Sequence, residues 1–481
     1  MSINGDIKVT DKAKQRWIVA CAAFATFMGT LDEFIVGISL PTITKHFHTG
    51  TSESVWIVII YFLMVTGTLI LFGKLADRKG LKKLFIAGYV VFIAGSLFCG
   101  ISWNIYVLIA ARFLQGIGGS ILRVVAYAIV PKFLPSEIRG WGFGILSTAS
   151  ASGIMIGAPA GGFITSFFSW HWIFLVNIPI GILAILVVNG VLPKEETVSD
   201  NGTGFDIPGA ALSFLSFCTL TYALNMGHER GWGDPVIVSC LIASAGLFVL
   251  FIKRELATPD PLLDLSLFRN TRFVFGNIAM FMTCMFMSGD SFLFPFYLQL
   301  SRGLTPSAAG LVLLIYSLVY VPASQIAGRL SDRIKPPVLC GFAMLSGTLA
   351  CLFFVSTMGD SGFWPVYVYI AWAAISCAMF ISPSNNNVMS QAPDDKQGSA
   401  SGILSTANQL SGVIGVCIFE AIFSMSSETA GNSTDGQLAA SPSLLLTGFR
   451  NAYICAMIVC MTAMIFSFLT KTEEKRQEAA S

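Results

Sequence analysis

The sequence predicts an all-α polytopic membrane protein with about fourteen transmembrane spans, and three observations predict it. The first is composition. The 481 residues are 54% hydrophobic and only 12% charged, with a mean hydropathy of +0.72, whereas a soluble domain carries about 25% charged residues. The second is that the apolar residues fall into long runs, each able to cross the ~30 Å of hydrocarbon as a helix. The third is that Lys and Arg gather on alternate connections between those runs. The net charge of +2, spread over short clusters, excludes a nucleic-acid partner. The eleven cysteines lie mostly inside apolar runs, as Cys21, Cys99, Cys218, Cys284, Cys377 and Cys460 do, and match neither a metal site nor a disulfide framework. No metal, cofactor or enzymatic centre is expected. The first apolar run is too long, and the next too close behind it, for a cleavable signal.

The spans are expected near 17–40, 54–73, 82–101, 104–128, 139–163, 171–190, 206–226, 234–252, 273–299, 306–329, 338–357, 364–390, 398–424 and 446–469. Basic residues mark one set of connections, with Lys12, Lys14 and Arg16 before the first span, and Lys74, Arg78, Lys79, Lys82 and Lys83 after the second. Lys132 and Arg139, then Lys194, then Lys253, Arg254, Arg269 and Arg272 follow. Arg329, Arg333 and Lys335, then Lys396, and finally Lys471, Lys475 and Arg476 complete the set. The opposite connections hold only Lys45, Arg230, Arg302 and Arg450. The positive-inside rule places both termini in the cytoplasm, in keeping with an even number of spans.

The chain repeats itself. Gly73-Lys-Leu-Ala-Asp77-Arg78 returns as Gly328-Arg-Leu-Ser-Asp332-Arg333, and Gly144-Ile-Leu-Ser-Thr148 returns as Gly402-Ile-Leu-Ser-Thr406, at offsets of 255 and 258 residues. Spans one to six thus correspond to spans nine to fourteen, with seven and eight inserted. The expected organisation is two six-helix bundles, residues 1–195 and 256–481, plus an inserted two-helix pair, residues 196–255. The same offset carries Asp32 onto Asp290, so the first helix of each half holds a carboxylate.

A carboxylate at membrane depth costs a few kcal/mol and marks a functional site whose partner must be sought. Asp32 and Glu33 stand side by side in the first span, between Phe24–Met28 and Phe34–Leu40. Asp77 lies between two spans, where it can cap a helix N-terminus. In the fourth span Arg112 is expected at the depth of Asp32, since each lies about eight residues from the outer end of its helix at ~1.5 Å per residue. A guanidinium facing a carboxylate makes either a proton switch or a static pair joining two helices. Arg123, eleven residues on, returns to nearly the same face about 16 Å deeper, with Gln115, Gly116 and Gly119 near the line between. That stripe is expected to face a polar cavity. Arg123 itself meets an anionic substrate group, is neutralised by Glu33, or snorkels to the headgroups.

In the second half Asp290 sits in Met287-Ser-Gly289-Asp290-Ser-Phe-Leu-Phe-Pro295, among Phe292, Phe294, Phe296 and Tyr297. That setting suits proton binding, a lipophilic cation held by charge and ring faces, or a plain hydrogen bond to a neighbouring helix. Gln325 in span ten and Asn385, Asn386 and Asn387 in span twelve are candidate substrate donors or interhelical hydrogen bonds. Residues 255–272 are expected to lie partly on the membrane surface as a helix. The segment from Ser426 to Ser443 reads as an external loop, with a chance glycosylation sequon at Asn432.

Taken in order, these motifs resemble the major facilitator superfamily, in its fourteen-span branch of drug:proton antiporters, over nearly the whole chain. The matching pieces are Gly73-Lys-Leu-Ala-Asp77-Arg78-Lys-Gly80, Arg112-Phe-Leu-Gln115-Gly116, and Leu31-Asp32 with Leu40-Pro41. To these add Trp170-His-Trp172-Ile-Phe174-Leu-Val-Asn177-Ile-Pro179-Ile-Gly181 and Leu304-Thr-Pro306 with Ala309-Gly310. The resemblance implies the major facilitator fold, and a cytoplasmic latch at Gly73, Asp77 and Arg78 with a weaker copy at Asp332 and Arg333. It also implies an antiporter motif at Gly157, Pro159, Gly161 and Gly162. Three departures stand out. The proline of that motif falls one place late, Glu33 replaces a small or hydroxyl residue, and Arg123 is extra.

What the resemblance implies is a proton-coupled exporter of lipophilic or amphipathic small molecules, working by alternating access as a monomer in a bacterial-type inner membrane. Its partners are a small-molecule substrate, protons and membrane lipids. Asp32, Glu33, Asp290 and Arg112 are the candidate proton-coupling residues. Arg123, Gln115, Phe294, Tyr297, Gln325 and Asn386 are the candidate substrate contacts. The alternative substrate is an amphipathic anion, lipid or metabolite conjugate recognised through Arg112 and Arg123. An intramembrane aspartyl protease using Asp32 and Asp290 is disfavoured, because Met287 stands where the Gly-x-Gly-Asp pattern of such enzymes has its first glycine.

Overall fold

The computed structural model describes residues 8–49, 54, 56–193, 206–258, 261–304, 306–360, 362–428 and 442–480, and every regular element among them is helical. Fourteen of the helices are long and apolar enough to cross a membrane. The polar segment expected to be an external loop, with Asn432, lies outside the described residues except at its two ends, as does Lys194. Thr305 is outside them too.

Local chemistry sets the helix ends. The first helix, Lys12–Phe47, outruns the expected 17–40 at both ends. Asp11 caps it by accepting from the Ala13 N–H, and His48 closes it in the left-handed conformation at φ 52°. The fourth-span helix, Ile105–Phe133, starts where the Asn104 side chain accepts from Val107 N–H. Asp206 and Asp234 cap the helices of spans seven and eight, Ile207–Arg230 and Pro235–Ala257, each with a proline in the first turn. The sixth span is broken into Trp172–Leu175 and Asn177–Val191. The ninth, Thr271–Phe296, contains Pro295 and runs on as a π-helical turn, Tyr297–Ser301, the expected response where a proline interrupts the i→i−4 ladder. The expected surface helix within 255–272 is instead one 3₁₀ turn, Leu265–Arg269, begun where Asp264 accepts from Ser266 N–H. That segment holds Pro259 and Pro261, which oppose a longer helix.

Two compact units emerge. The first comprises Met1–Asn270 with Met389–Thr406, the second Thr271–Val388 with Ala407–Ser481. In the first unit a cluster of Ile35, Val36, Ile43, Ile57, Cys99, Ile105, Leu108, Ala111, Trp170, Ile173 and Phe174 joins spans one, two, three, four and six. The inserted pair packs on span two (Trp56–Lys79) through Ile59, Leu63, Ala223, Met226 and Ile237. In the second unit the last helix, Pro442–Ala480, lies against both Pro336–Thr357 and the ninth span. All eleven cysteines carry free thiols, and Cys21, Cys99, Cys377 and Cys460 are buried.

Candidate functional site

Asp32 is the centre of a closed polar network in the first unit. Arg112 Nη1 donates to its Oδ2 at 2.6 Å. Gln115 Nε2 donates to Oδ1 at 2.9 Å, and Asn177 Nδ2 to the same oxygen at 3.1 Å. The Arg112 and Asp32 side chains are at most 1% exposed. The guanidinium is occupied on its other sides as well. Nε donates to Ile57 O at 3.1 Å, Nη1 also donates to Gln115 Oε1 at 2.7 Å, and the Tyr61 ring lies 4.1 Å from Cζ. Gln115 completes its set by donating to Ser96 Oγ at 2.8 Å. Gly95 lets span three (Leu81–Gly100) approach this closely, since a Cβ there would meet the Gln115 backbone at 2.6 Å. Donors from two helices, spans four and six, thus satisfy one buried carboxylate, while spans two and three hold Arg112 and Gln115 from behind, as an ion pair in an apolar surround requires. Ser96 and Asn177 were not singled out in the sequence. Asn177 stood inside a recognised motif, but nothing local told which helix its amide would reach.

The polar stripe expected on span four is only partly open. Gln115 is 0% exposed, and a Cβ at Gly116 or Gly119 would meet Met64 and Tyr61 of span two, so this stretch faces protein. Arg123 differs. Its Nη2 donates to Glu33 Oε1 at 2.8 Å, and the two side chains keep 23% and 11% of their exposure. Successive helical residues are ~100° apart, so Asp32 turns into the packed interior while Glu33 reaches the partly exposed arginine.

Span five explains how the first helix is held. In Arg139–Phe167, glycines 153, 157 and 161 form one ridge at i, i+4, i+8. A Cβ on them would collide with Thr30, Phe34 and Ile35 respectively, the turns that carry Asp32 and Glu33. Small residues at that spacing let two helices meet backbone to backbone. Gly153 is an addition to the expected motif. Gly162 has open space at its Cβ position, and Pro159 is exposed.

Asp290 has different surroundings. The hydroxyls of Tyr369 and Tyr453 both donate to its Oδ1, each at 2.7 Å, and the residue is 9% exposed. Phe354 stacks on Tyr369 at 4.2 Å and meets Tyr453 edge-on at 4.8 Å. Phe294 and Tyr297, 2% and 0% exposed, belong to this packed cluster, with ring centroids 6.2 Å apart. Arg302 Nε donates to the Tyr297 hydroxyl at 2.8 Å. Phe296, by contrast, is exposed. Phe294 therefore packs against Tyr369, one of the two phenols that hold Asp290, and Tyr297 packs with it. Tyr369 and Tyr453 lie 79 and 163 residues away, beyond any sequence pattern. Asn386 is buried, with Nδ2 3.5 Å from Ser331 Oγ; Gln325 is half-buried, as is Asp332, and Arg333 is exposed.

The capping expected of Asp77 is found on another helix. Helix Leu81–Gly100 starts at Gly80, φ 85°, with no side-chain cap. Asp77 instead crosses to the start of span thirteen, Gln397–Glu428. Its Oδ1 accepts from Gly398 N–H at 2.6 Å, and its Oδ2 from Ser399 N–H at 2.7 Å and Ser399 Oγ at 2.6 Å. A carboxylate at a helix N-terminus satisfies orphan donors and the positive end of the dipole. Gly73 permits the approach, as a Cβ there would meet Gly398 O at 2.7 Å and Gly402 Cα at 3.2 Å. Half-buried Arg78 lies one residue beyond. Asp77→Asn keeps the shape but removes the charge and turns an amide N–H₂ against a donor. Bonds to charged groups are worth about 1.5–3 kcal/mol each, so the variant is expected to melt several degrees lower. Thermal melting measures this, and a wild-type melting temperature would show the contact to carry no weight.

The profile of the Major Facilitator Superfamily matches residues 22–416. The riboflavin transporter RibZ of Clostridioides difficile is 32% identical over 467 residues, covering 96% of this chain and 99% of the relative. The multidrug resistance protein Stp of Mycobacterium tuberculosis is 30% identical over 400 residues, 82% of this chain and 73% of Stp. Among solved structures, the human organic anion transporter MFSD10 superposes with a TM-score of 0.64 at 13% identity, over 93% of this chain and 99% of its own. With fourteen membrane-length helices among the described residues and a family match across most of its length, the chain belongs to the Major Facilitator Superfamily and is a multi-pass transporter.

Proposed function

We propose that the protein is a proton-coupled exporter of lipophilic or amphipathic small molecules. It works by alternating access between two six-helix bundles, residues 1–195 and 256–481, with the inserted pair 196–255 beside the first. The observation that carries this reading is the pair of buried carboxylates, Asp32 and Asp290, each the hub of a hydrogen-bonded cluster in the first helix of its half. Asp290 is held by two neutral phenols, so a proton arriving there cancels a charge that neither partner offsets. At Asp32 a proton must compete with Arg112. Asp290 is therefore the carrier of the coupling proton, and Asp32 with Arg112 the element whose opening follows the conformational change. Asp77 at the start of span thirteen is the cytoplasmic latch released in each cycle. The protein acts as a monomer in a bacterial inner membrane, with both termini in the cytoplasm. Relatives named for riboflavin transport and multidrug resistance support a small organic substrate.

The test is transport in proteoliposomes under an imposed pH gradient, recording internal pH as lipophilic cations, neutral compounds and amphipathic anions are added. Substrate-dependent proton movement is the expected result. Binding without proton movement would replace the reading with a uniport, sodium-coupled or sensory one.

One observation favours the anionic alternative. Arg123 is the partly exposed arginine, and its ion pair with Glu33 keeps exposure on both sides, so a substrate carboxylate or phosphate can replace Glu33 as its partner. Arg123→Ala is then expected to slow anionic substrates roughly 10- to 100-fold, the loss of one bond between charged groups, and to spare lipophilic cations. Initial efflux rates for a matched anion and cation decide it, and equal losses would refute the assignment.

A further inference from the structure

The inserted pair ends in two buried carboxylates that no role above uses. Asp206, the N-cap of span seven, accepts on Oδ1 from Gly209 N–H at 3.0 Å and from Arg254 Nε at 2.7 Å. Glu255, in the last turn of span eight, accepts on Oε2 from Leu263 N–H at 2.7 Å. The residues are 6% and 2% exposed. The remaining oxygen of each, Asp206 Oδ2 and Glu255 Oε1, is buried without a hydrogen-bond partner among the described residues. Both look onto one spot, for a Cβ built on Gly209 would run into Asp206 Oδ2 and then into Glu255 Oε1 at 3.1 Å.

Two buried acceptors around one spot, with no donor to either among the described residues, leave each group's desolvation uncompensated, and two like charges add repulsion. One proton removes both costs. A carboxyl O–H on one residue donates to the carboxylate of the other, as in the dyads of paired acids. The neighbouring charges leave room for such a proton. Arg254 already serves Oδ1 and is itself 41% exposed, and Lys74 approaches Glu255 from span two. Asp264, in the same connection, does not compete. Burial works against its charge, yet Lys396 at 2.5 Å and Ser266 hold its carboxyl below the usual range.

We propose that Asp206 and Glu255 share a single proton, a proton-binding site separate from Asp32, Glu33 and Asp290 that ties both ends of the inserted pair to residues 261–264. The site releases its proton as pH rises, leaving two facing anions, and the tie weakens.

The test uses the purified full-length protein, with thermal melting and the infrared band of protonated carboxyls followed against pH. In Glu255→Gln the amide N–H₂ donates to Asp206 Oδ2 in place of the proton. In Asp206→Asn the amide donates to Glu255 Oε1. Both variants are expected to melt like the wild type at low pH and to lack its fall in Tm as pH rises. Each should lose the same single carboxyl band, with no further loss in the double variant. Additive band losses, or a wild-type pH profile in either variant, would overturn the shared proton. Stabilisation of the wild type alone by sodium, potassium or calcium chloride at fixed pH would assign the pair to a metal cation instead. Failure of both amides to fold would also overturn it, because each restores the one missing donor.

Discussion

Asp290→Asn is expected to abolish substrate-driven proton movement while leaving the fold nearly untouched. The two halves of that expectation rest on one geometry. Tyr369 and Tyr453 both donate to Oδ1, and an asparagine carbonyl in that position accepts both bonds, so the aromatic cluster around Phe354 and Phe294 keeps its packing. An amide, however, neither takes up nor releases a proton in the working range. Melting temperature should stay within about 2 °C of wild type, as for a change costing a few tenths of a kcal/mol. Substrate-dependent acidification in proteoliposomes should fall to background, and efflux should lose its dependence on the pH gradient. Wild-type pH dependence in this variant would remove Asp290 from the coupling step.

Asp32→Asn should fail differently, losing stability as well as coupling. Three donors converge on its two oxygens, Arg112 on Oδ2 and both Gln115 and Asn177 on Oδ1. An amide has one acceptor. Placed toward Arg112, it turns its N–H₂ against two amide donors; placed the other way, it turns N–H₂ against the guanidinium. Arg112 is then buried without its counter-ion, and breaking a buried pair from one side costs about 3–5 kcal/mol. The expected result is a clearly lowered melting temperature and loss of transport. Asp32→Asn combined with Arg112→Gln removes the orphaned charge, so it should recover much of the stability and none of the coupling. Full recovery of gradient-driven transport in the double variant would show the pair to be a structural tie only.

These contrasting outcomes follow from differences that no stretch of sequence displays. Asp32 and Asp290 occupy equivalent repeat positions, each an acid in an apolar helix, and by sequence they look alike. Only the folded chain gives one a guanidinium and the other two phenols. The shared depth of Asp32 and Arg112 could be counted along two helices, because an α-helix rises a constant ~1.5 Å per residue. Likewise the neutralisation of Arg123 by Glu33 was among the expected partners, since it needs only the 3.6-residue period and the order of spans. Gln115, Phe294 and Tyr297 were expected at a substrate surface, and the structure buries them, because which face of a helix meets a neighbour depends on its rotation. Asp77 is the sharpest case. Its capping role is local chemistry, and the helix that it caps lies 321 residues away.

What the sequence by itself determined is therefore the class of protein, the number of spans and the presence of acids inside them. Those follow from hydrophobic run length and from the cost of charge in hydrocarbon, both properties of a segment alone. The tertiary structure decided which groups satisfy the acids: Arg112, Gln115 and Asn177 at Asp32, and Tyr369 and Tyr453 at Asp290. In a low-dielectric interior a polar atom is stabilised by a partner at hydrogen-bond distance and costly without one. That partner is set by how helices rotate and pack against one another, for which hydropathy carries no term.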